Sequence, residues 1–280
     1  MENRSVHFLL KILILGVVTT IFRICCQLLL PESNQTILKP SIFVTSKTLP
    51  IAFSILAVIS YSIFAYLFIL MVADKRVETS KKNQGLKYSL SLCFLWSTYL
   101  FEPLPHAVSI LQDSIAYVIV DSLALLVMGL GLDFFFKSKT NPKGTGAWIK
   151  TIDGLLSSLI VPTVFFLLGR LCLYNIFGIY SYFEERSLVT ILWCLVTGAI
   201  SSSVVLYLTS FVQNRKNSRN PLFIGITVYA INLFFFNSFM LIVFDFNPLD
   251  LLLRTFIDIL AISSGLLISE KLKEISNDRK

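Results

Sequence analysis

Long apolar runs alternate with short polar segments along the whole chain, and eight such runs can be drawn. They are Phe8–Leu30, Leu49–Ala73, Tyr88–Leu104, Asp113–Phe136, Trp148–Tyr174, Ser187–Val212, Leu222–Phe244 and Leu249–Ser269. A helix needs roughly 20 residues, at 1.5 Å each, to cross the hydrocarbon core of a bilayer. The pattern therefore predicts an all-α polytopic membrane protein of about eight transmembrane helices, with the lipid bilayer as its medium. The third run is short and ends in Glu102-Pro103-Leu104-Pro105-His106, where two prolines remove amide donors and stop the helix. The first is longer than a usual signal-peptide core and is followed by Pro31-Glu32-Ser33 instead of a small-residue cleavage site, so it is expected to remain as a span.

The polar segments orient the spans. One side collects Arg4, then Lys75, Arg76, Lys81, Lys82 and Lys87, then Lys137, Lys139 and Lys143. It continues with Arg215, Lys216 and Arg219, and ends with Lys271, Lys273, Arg279 and Lys280. The other side has Lys39, Lys47 and Arg186. Positive residues are retained on the cytoplasmic side, so both termini are expected in the cytoplasm. Short loops and tails suggest a bacterial cell (inner) membrane protein. Asn34-Gln35-Thr36 is a formal glycosylation acceptor on the outer side and is discounted for that reason. The basic segments, Asp74–Lys87 above all, are where a protein partner would be reached, and they would also attract anionic lipid.

The eight runs also divide into two sets of four. Their centres lie near 19, 61, 95 and 124, then near 160, 199, 233 and 260, shifts of about 141, 138, 138 and 136. Both sets start inside, so the repeat is parallel, with units at 1–140 and 141–280. At a shift of 137, Asp121-Ser122-Leu123-Ala124 meets Asp258-Ile259-Leu260-Ala261. The third and seventh runs end alike, in Phe101-Glu102-Pro103-Leu104 and Phe244-Asp245-Phe246-Asn247-Pro248-Leu249. A four-span unit with the Phe-Glu-Pro-Leu end at 101–104, the Asp-Ser-Leu-Ala segment at 121–124 and a basic cytoplasmic tail resembles the YrvL family. Those are small bacterial membrane proteins implicated in negative regulation of an alternative sigma factor. The resemblance implies a tandem of two such units with a regulatory role, and it assigns no functional residue.

Composition agrees with the pattern. Hydrophobic residues make up 55% and charged residues 15% of the 280, with a mean hydropathy of +0.75; soluble domains carry about 25% charged residues. The net charge of +7 would suit nucleic acid, but its distribution between apolar runs belongs to topology, and no nucleic-acid partner is expected. Cys25, Cys26, Cys93, Cys172 and Cys194 all fall inside predicted spans and form no Cys-x-x-Cys pair, so they read as small packing residues. The aromatic runs Phe134–Phe136 and Phe234–Phe236 read as lipid-facing or interfacial belt residues.

Candidate chemistry lies with the charges inside the apolar runs. Asp121, Asp258, Arg254, Arg170, Arg23 and Glu102 form the candidate intramembrane polar cluster. A charge at such depth is costly and marks a functional site by default. One reading gathers Asp121 and Asp258 in an outward-facing cavity, flanked by the arginines, that would bind a solute, a proton or a lipid headgroup. The other has the charges pair and fix which helices touch. In that second view Asp250, Arg254 and Asp258 share a face at i, i+4 and i+8, Arg170 and Lys11 reach the interface by snorkelling, and Arg23 meets some carboxylate. Glu184-Glu185-Arg186 resembles the paired glutamates of CAAX-type intramembrane proteases, but those also need later histidines, and the chain has only His7 and His106. No nucleophile elbow, phosphate loop, dinucleotide fingerprint or His-Glu-x-x-His is present. The expectation is a non-enzymatic protein with no cofactor and no metal, regulatory or accessory in role; the alternative is a small transporter using Asp121 and Asp258.

Overall fold

The computed structural model describes residues 2–30, 38–72, 83–102, 111–136, 152–179, 181, 183–209, 211 and 221–278. Its helices are α1 (Glu2–Gln27), α2 (Ile42–Thr45), α3 (Leu49–Val72), α4 (Gln84–Leu100), α5 (Leu111–Phe135), α6 (Ile152–Asn175), α7 (Phe183–Thr209), α8 (Pro221–Val243) and α9 (Pro248–Asp278). Among the described residues the one extended pairing is an isolated antiparallel bridge, Pro40 with Phe244. Seven of these helices are long and apolar enough to cross a membrane, so the chain is an all-α polytopic membrane protein. The eighth long helix, α4, has 17 residues and lies at the centre of the bundle, with Tyr88, Leu92, Leu95 and Tyr99 fully enclosed.

Each apolar run of the sequence corresponds to one helix, with ends that differ by a few residues. The largest difference is α9, which continues past Ser269 through Glu270, Lys271, Lys273 and Glu274 to Asp278. Charges of both signs three apart, such as Glu270 with Lys273, sustain a helix outside the apolar core. The one-turn helix α2 has no hydrophobic period to announce it. It forms because the Ser41 hydroxyl accepts from the amides of Phe43 at 3.2 Å and Val44 at 3.3 Å. The chain around it is strapped to the end of α8: the Ser41 amide donates to the Val243 carbonyl at 3.1 Å and the Asp245 amide to the Lys39 carbonyl at 2.9 Å. Most of the basic segments that set the expected orientation, the unit boundary at 140, the 34–36 acceptor and His106 lie outside the described residues.

Packing follows the same plan in both halves. In the first, α1 lies against α3 and α5, and α5 against α4; in the second, α6 lies against α7 and α9, and α9 against α8. Between the halves α4 packs on α7, α3 on α8, and α4 touches α8. Several ring contacts between the halves follow one rule. An offset of 140 residues carries Phe53 to Trp193 and Tyr99 to Phe239, and both Phe53–Phe239 and Tyr99–Trp193 are in contact, at 5.0 and 6.3 Å between centroids. The same offset carries Trp96 to Phe236. Trp96 meets Phe239 at 5.9 Å, Tyr99 meets Phe236 at 5.6 Å, and Trp96 meets Phe236 itself at 5.3 Å. Residue i touching j+140 while j touches i+140 is the pattern of a two-fold, self-complementary interface.

Close helix approaches use glycine. A Cβ on Gly85 of α4 would lie 2.6 Å from the carbonyl oxygen of Gly129 in α5, and one on Gly265 of α9 would collide with Pro162 of α6. Without a strong hydrophobic drive between helices in lipid, such backbone contact is what van der Waals packing depends on. The α4–α5 crossing is also clamped electrostatically. Asp133 of α5 accepts from the Gly85 amide at 2.7 Å and the Leu86 amide at 3.1 Å, covering donors that the first turn of α4 leaves without helical partners. The aromatic runs divide otherwise than expected. Phe134 and Phe234 are exposed, whereas Phe235 and Phe236 are buried, because α8 has α3, α4, α7 and α9 around it.

Candidate functional site: two buried arginine–carboxylate clusters

The six candidate residues are brought together in two groups, not in one cavity. The first joins α1, α3, α4 and α5. Arg23 Nε donates to Asp121 Oδ1 at 2.8 Å, and Trp96 Nε1 donates to Asp121 Oδ2 at 2.8 Å. The Arg23 guanidinium stacks 4.2 Å from the centroid of Phe53. Both carboxylate oxygens thus have a donor, and the cation has a carboxylate on its edge and an aromatic face beneath it. The expectation that some carboxylate would meet Arg23 is met by Asp121.

The second group joins α6, α7, α9 and the end of α4. Arg170 Nε donates to Asp258 Oδ1 at 2.7 Å and its Nη2 to Oδ2 at 2.5 Å, a bidentate pair. Its Nη1 donates to Glu102 Oε1 at 2.5 Å and to the Tyr174 hydroxyl at 3.3 Å. Arg254 Nη1 reaches the same Glu102 oxygen at 3.2 Å. The Arg170 guanidinium lies 4.9 Å from the Trp193 ring centroid and 5.5 Å from that of Phe166, and Trp193 Nε1 donates to the Thr98 carbonyl at 2.8 Å. Among the described residues, two cations and two carboxylates balance one another in this group. That balance is what lets a guanidinium sit at 1% exposure beside a carboxylate at 1%. Arginine suits the place because its planar fork serves two carboxylates while its face stacks on an indole.

Two features depart from the sequence reading. Arg170 does not snorkel: it is enclosed, since Asp258 and Glu102 approach it from α9 and α4 and supply the counter-charge that water would otherwise give. The shared face of Asp250, Arg254 and Asp258 does not serve as a self-contained ladder either. Asp258 goes to Arg170 and Arg254 to Glu102, whereas Asp250 Oδ1 accepts from Asn247 Nδ2 at 3.3 Å. Lys11, by contrast, is exposed.

The two groups are built alike. Each takes an arginine from the first helix of its half (Arg23, Arg170), an aromatic ring from the second long helix (Phe53, Trp193) and an aspartate from the last (Asp121, Asp258). The second adds Glu102, Arg254 and Tyr174. The donor Trp96, the acceptor Tyr174, the stacking rings Phe53 and Trp193, and the cap Asp133 had no sequence signal of their own; the matching of Phe53 to Trp193 emerges only once the offset of 140 is known. Cys93 and Cys194 are buried and Cys25 is exposed, all as free thiols. Among the described residues no three His, Cys, Asp or Glu side chains converge in a way that could hold a metal ion. Chemically the clusters are clasps: charge-assisted hydrogen bonds that tie the first and last helix of each half, and in the second case tie the halves to each other through Glu102. Comparison of the chain with family models, with curated proteins and with solved structures gives no match in any of the three.

Proposed function

We propose that this chain is a non-catalytic regulatory or accessory protein of a bacterial cell membrane. In this reading it has eight spans, both termini in the cytoplasm, and a tandem of two four-helix units of the YrvL-like kind. It acts on a protein partner through its basic cytoplasmic segments, such as Asp74–Lys87. The observation that carries the proposal is the engagement of Asp121 and Asp258. Each has donors on both carboxylate oxygens, from Arg23 and Trp96 in one case and Arg170 in the other. A carboxylate that takes up and releases a proton or cation in each cycle must exchange partners, and a bidentate buried arginine opposes that exchange. The tandem arrangement is supported by the ring contacts at a constant offset and by the repeated arginine–aromatic–aspartate set.

The test compares transcript profiles of a deletion strain with those of a strain carrying Asp121→Asn and Asp258→Asn at normal protein level. A narrow set of derepressed genes in the deletion strain, absent or weak in the double variant, is the expected result: regulation through a partner, with the carboxylates structural. An unchanged transcriptome with a growth defect tied to one ion or solute, shared by both strains, would replace this reading by the transporter.

A further inference from the structure

The two clasps are built alike but not completed alike. Arg170 spends Nε and both amino groups on protein acceptors, and the second carboxylate it meets, Glu102, is itself held by Arg254. Arg23 spends only Nε, on Asp121. Among the described residues neither Nη1 nor Nη2 of Arg23 has a hydrogen-bond partner. One turn further along α1, Gln27 Oε1 is buried and likewise lacks a donor. A guanidinium edge and an amide oxygen left in this way carry a desolvation cost that a bound group relieves.

The first half also lacks the residues that finish the second clasp. The shift of 137 that sets Asp121 against Asp258 sets Tyr117 against Arg254, so a neutral phenol stands where the second half has a cation. Asp245, matched to Glu102 by the like ends of the third and seventh runs, is exposed, and its amide is held by the Lys39 carbonyl. The first clasp is thus short of an anion on the Arg23 amino groups, together with a cation that keeps the balance beside Asp121. We propose that Arg23 and Gln27 bind a zwitterionic phosphoester, its phosphate on the two amino groups of Arg23 and its ammonium on Gln27 Oε1.

Chemistry and placement both select that ligand. A phosphate presents paired oxygens to a guanidinium fork, and an ammonium is a donor alone, which suits an amide oxygen. Arg23 and Gln27 are one turn apart, roughly 6 Å. A phosphate and an ammonium joined by a two-carbon arm span that separation better than an α-amino acid, whose charges meet at one carbon. A lone anion would set two negative charges around one guanidinium in a place poor in water. The Arg23 side chain is 12% exposed, shielded but open to a ligand. Like Phe53 and Trp96, it stands four residues from the end of its helix on the same side of the bundle, roughly 6 Å deep and within a headgroup's reach. Ile21 and Leu28 of α1 and Ile119 of α5, its neighbours along these helices, are exposed and apolar. Phosphoethanolamine chemistry occurs both in a phospholipid headgroup and in soluble phosphoesters, and this apolar rim favours the lipid.

The full chain in detergent would be titrated with phosphatidylethanolamine and with phosphatidylglycerol of the same acyl chains, and bound lipid read by native mass spectrometry. The expected result is one phosphatidylethanolamine held about tenfold tighter than phosphatidylglycerol, a preference of about 1.4 kcal/mol. Gln27→Leu should bring phosphatidylethanolamine down to the level of phosphatidylglycerol and leave the latter unchanged. Tyr117 lies within electrostatic reach of Arg23, so Tyr117→Arg supplies the missing cation from the protein and should turn the preference towards phosphatidylglycerol. Both variants keep the Arg23–Asp121 bond, and thermal unfolding reports that the bundle is intact. Excess glycerophosphoethanolamine separates the sources: a lipid retained against it assigns the site to a headgroup, and a lipid displaced by it assigns the site to a soluble phosphoester. Equal binding of the two lipids, or a preference that neither variant changes, overturns the proposal.

Discussion

At the scale of single residues, the geometry of Arg170 sets a difference between two superficially equivalent arginines. Arg170 uses Nε, Nη1 and Nη2 on two carboxylates, whereas Arg23 uses Nε on one. Lysine offers one compact ammonium and no fork, so Arg170→Lys should lower the thermal unfolding temperature of the detergent-solubilised protein more than Arg23→Lys. Equal losses would mean that the second cluster is no stronger than the first. Removing the cation altogether, as in Arg170→Met, leaves Asp258 buried without its bidentate donor and should cost about 3–5 kcal/mol. Adding Asp258→Leu should recover part of that loss, because the orphaned charge goes with it; a double variant no more stable than Arg170→Met would contradict the pairing. The charges themselves were readable as costly inclusions in apolar runs. Their partners were not, because Arg170 and Glu102 stand 68 residues apart and Arg23 and Asp121 stand 98 apart.

Helices behave as units where their backbones touch. The α4 N-terminus is covered by Asp133, which projects from another helix and so has no capping signature in the sequence around α4. Asp133→Ala should cost about 0.5–2 kcal/mol, the usual loss of a cap, and should speed hydrogen exchange selectively at the Gly85 and Leu86 amides. Exchange rising uniformly through α4 instead would show that the clamp secures packing, not the terminus. Gly85→Val tests the crossing itself. Its Cβ would stand 2.6 Å from the Gly129 carbonyl oxygen and 2.9 Å from the Asp133 amide nitrogen, so α4 and α5 must part, and the substitution should be more damaging than Gly178→Ala, where nothing lies within 4 Å. The Gly178 site has its own backbone cost at φ +62, which makes the comparison a demanding one. Folded yield and thermal unfolding would rank the two.

For the whole molecule, aromatic contacts join residues of 1–140 to residues of 141–280. The aromatic interface of Phe53, Trp96, Tyr99, Trp193, Phe236 and Phe239 is built from residues far apart in sequence, and aromatic pairs add to what their burial contributes. Residues 1–140 and 141–280 expressed together as two chains should therefore co-purify. Phe236→Ala, which removes the ring at the centre of the two-fold pattern, should weaken that association more than Phe234→Ala on the exposed face. Two halves that never associate in the membrane would count against a tandem origin, as would association indifferent to Phe236.

The hydrophobic pattern by itself determined the class of protein, the count of apolar runs, their ends to within a few residues for most helices, and the spacing that hinted at two sets of four. It could do so because crossing a bilayer is a local requirement, met by one helix at a time through length and apolarity. Which helix lies beside which was decided only in three dimensions. No local rule says that Phe235 and Phe236 face inward while Phe234 faces out, that Arg170 is enclosed, or that the candidate charges form two clasps and not one cavity. Those outcomes depend on what neighbouring helices present at the same depth. A buried guanidinium is tolerable only where carboxylates from α4 and α9 arrive together, and that meeting is a property of the packed bundle.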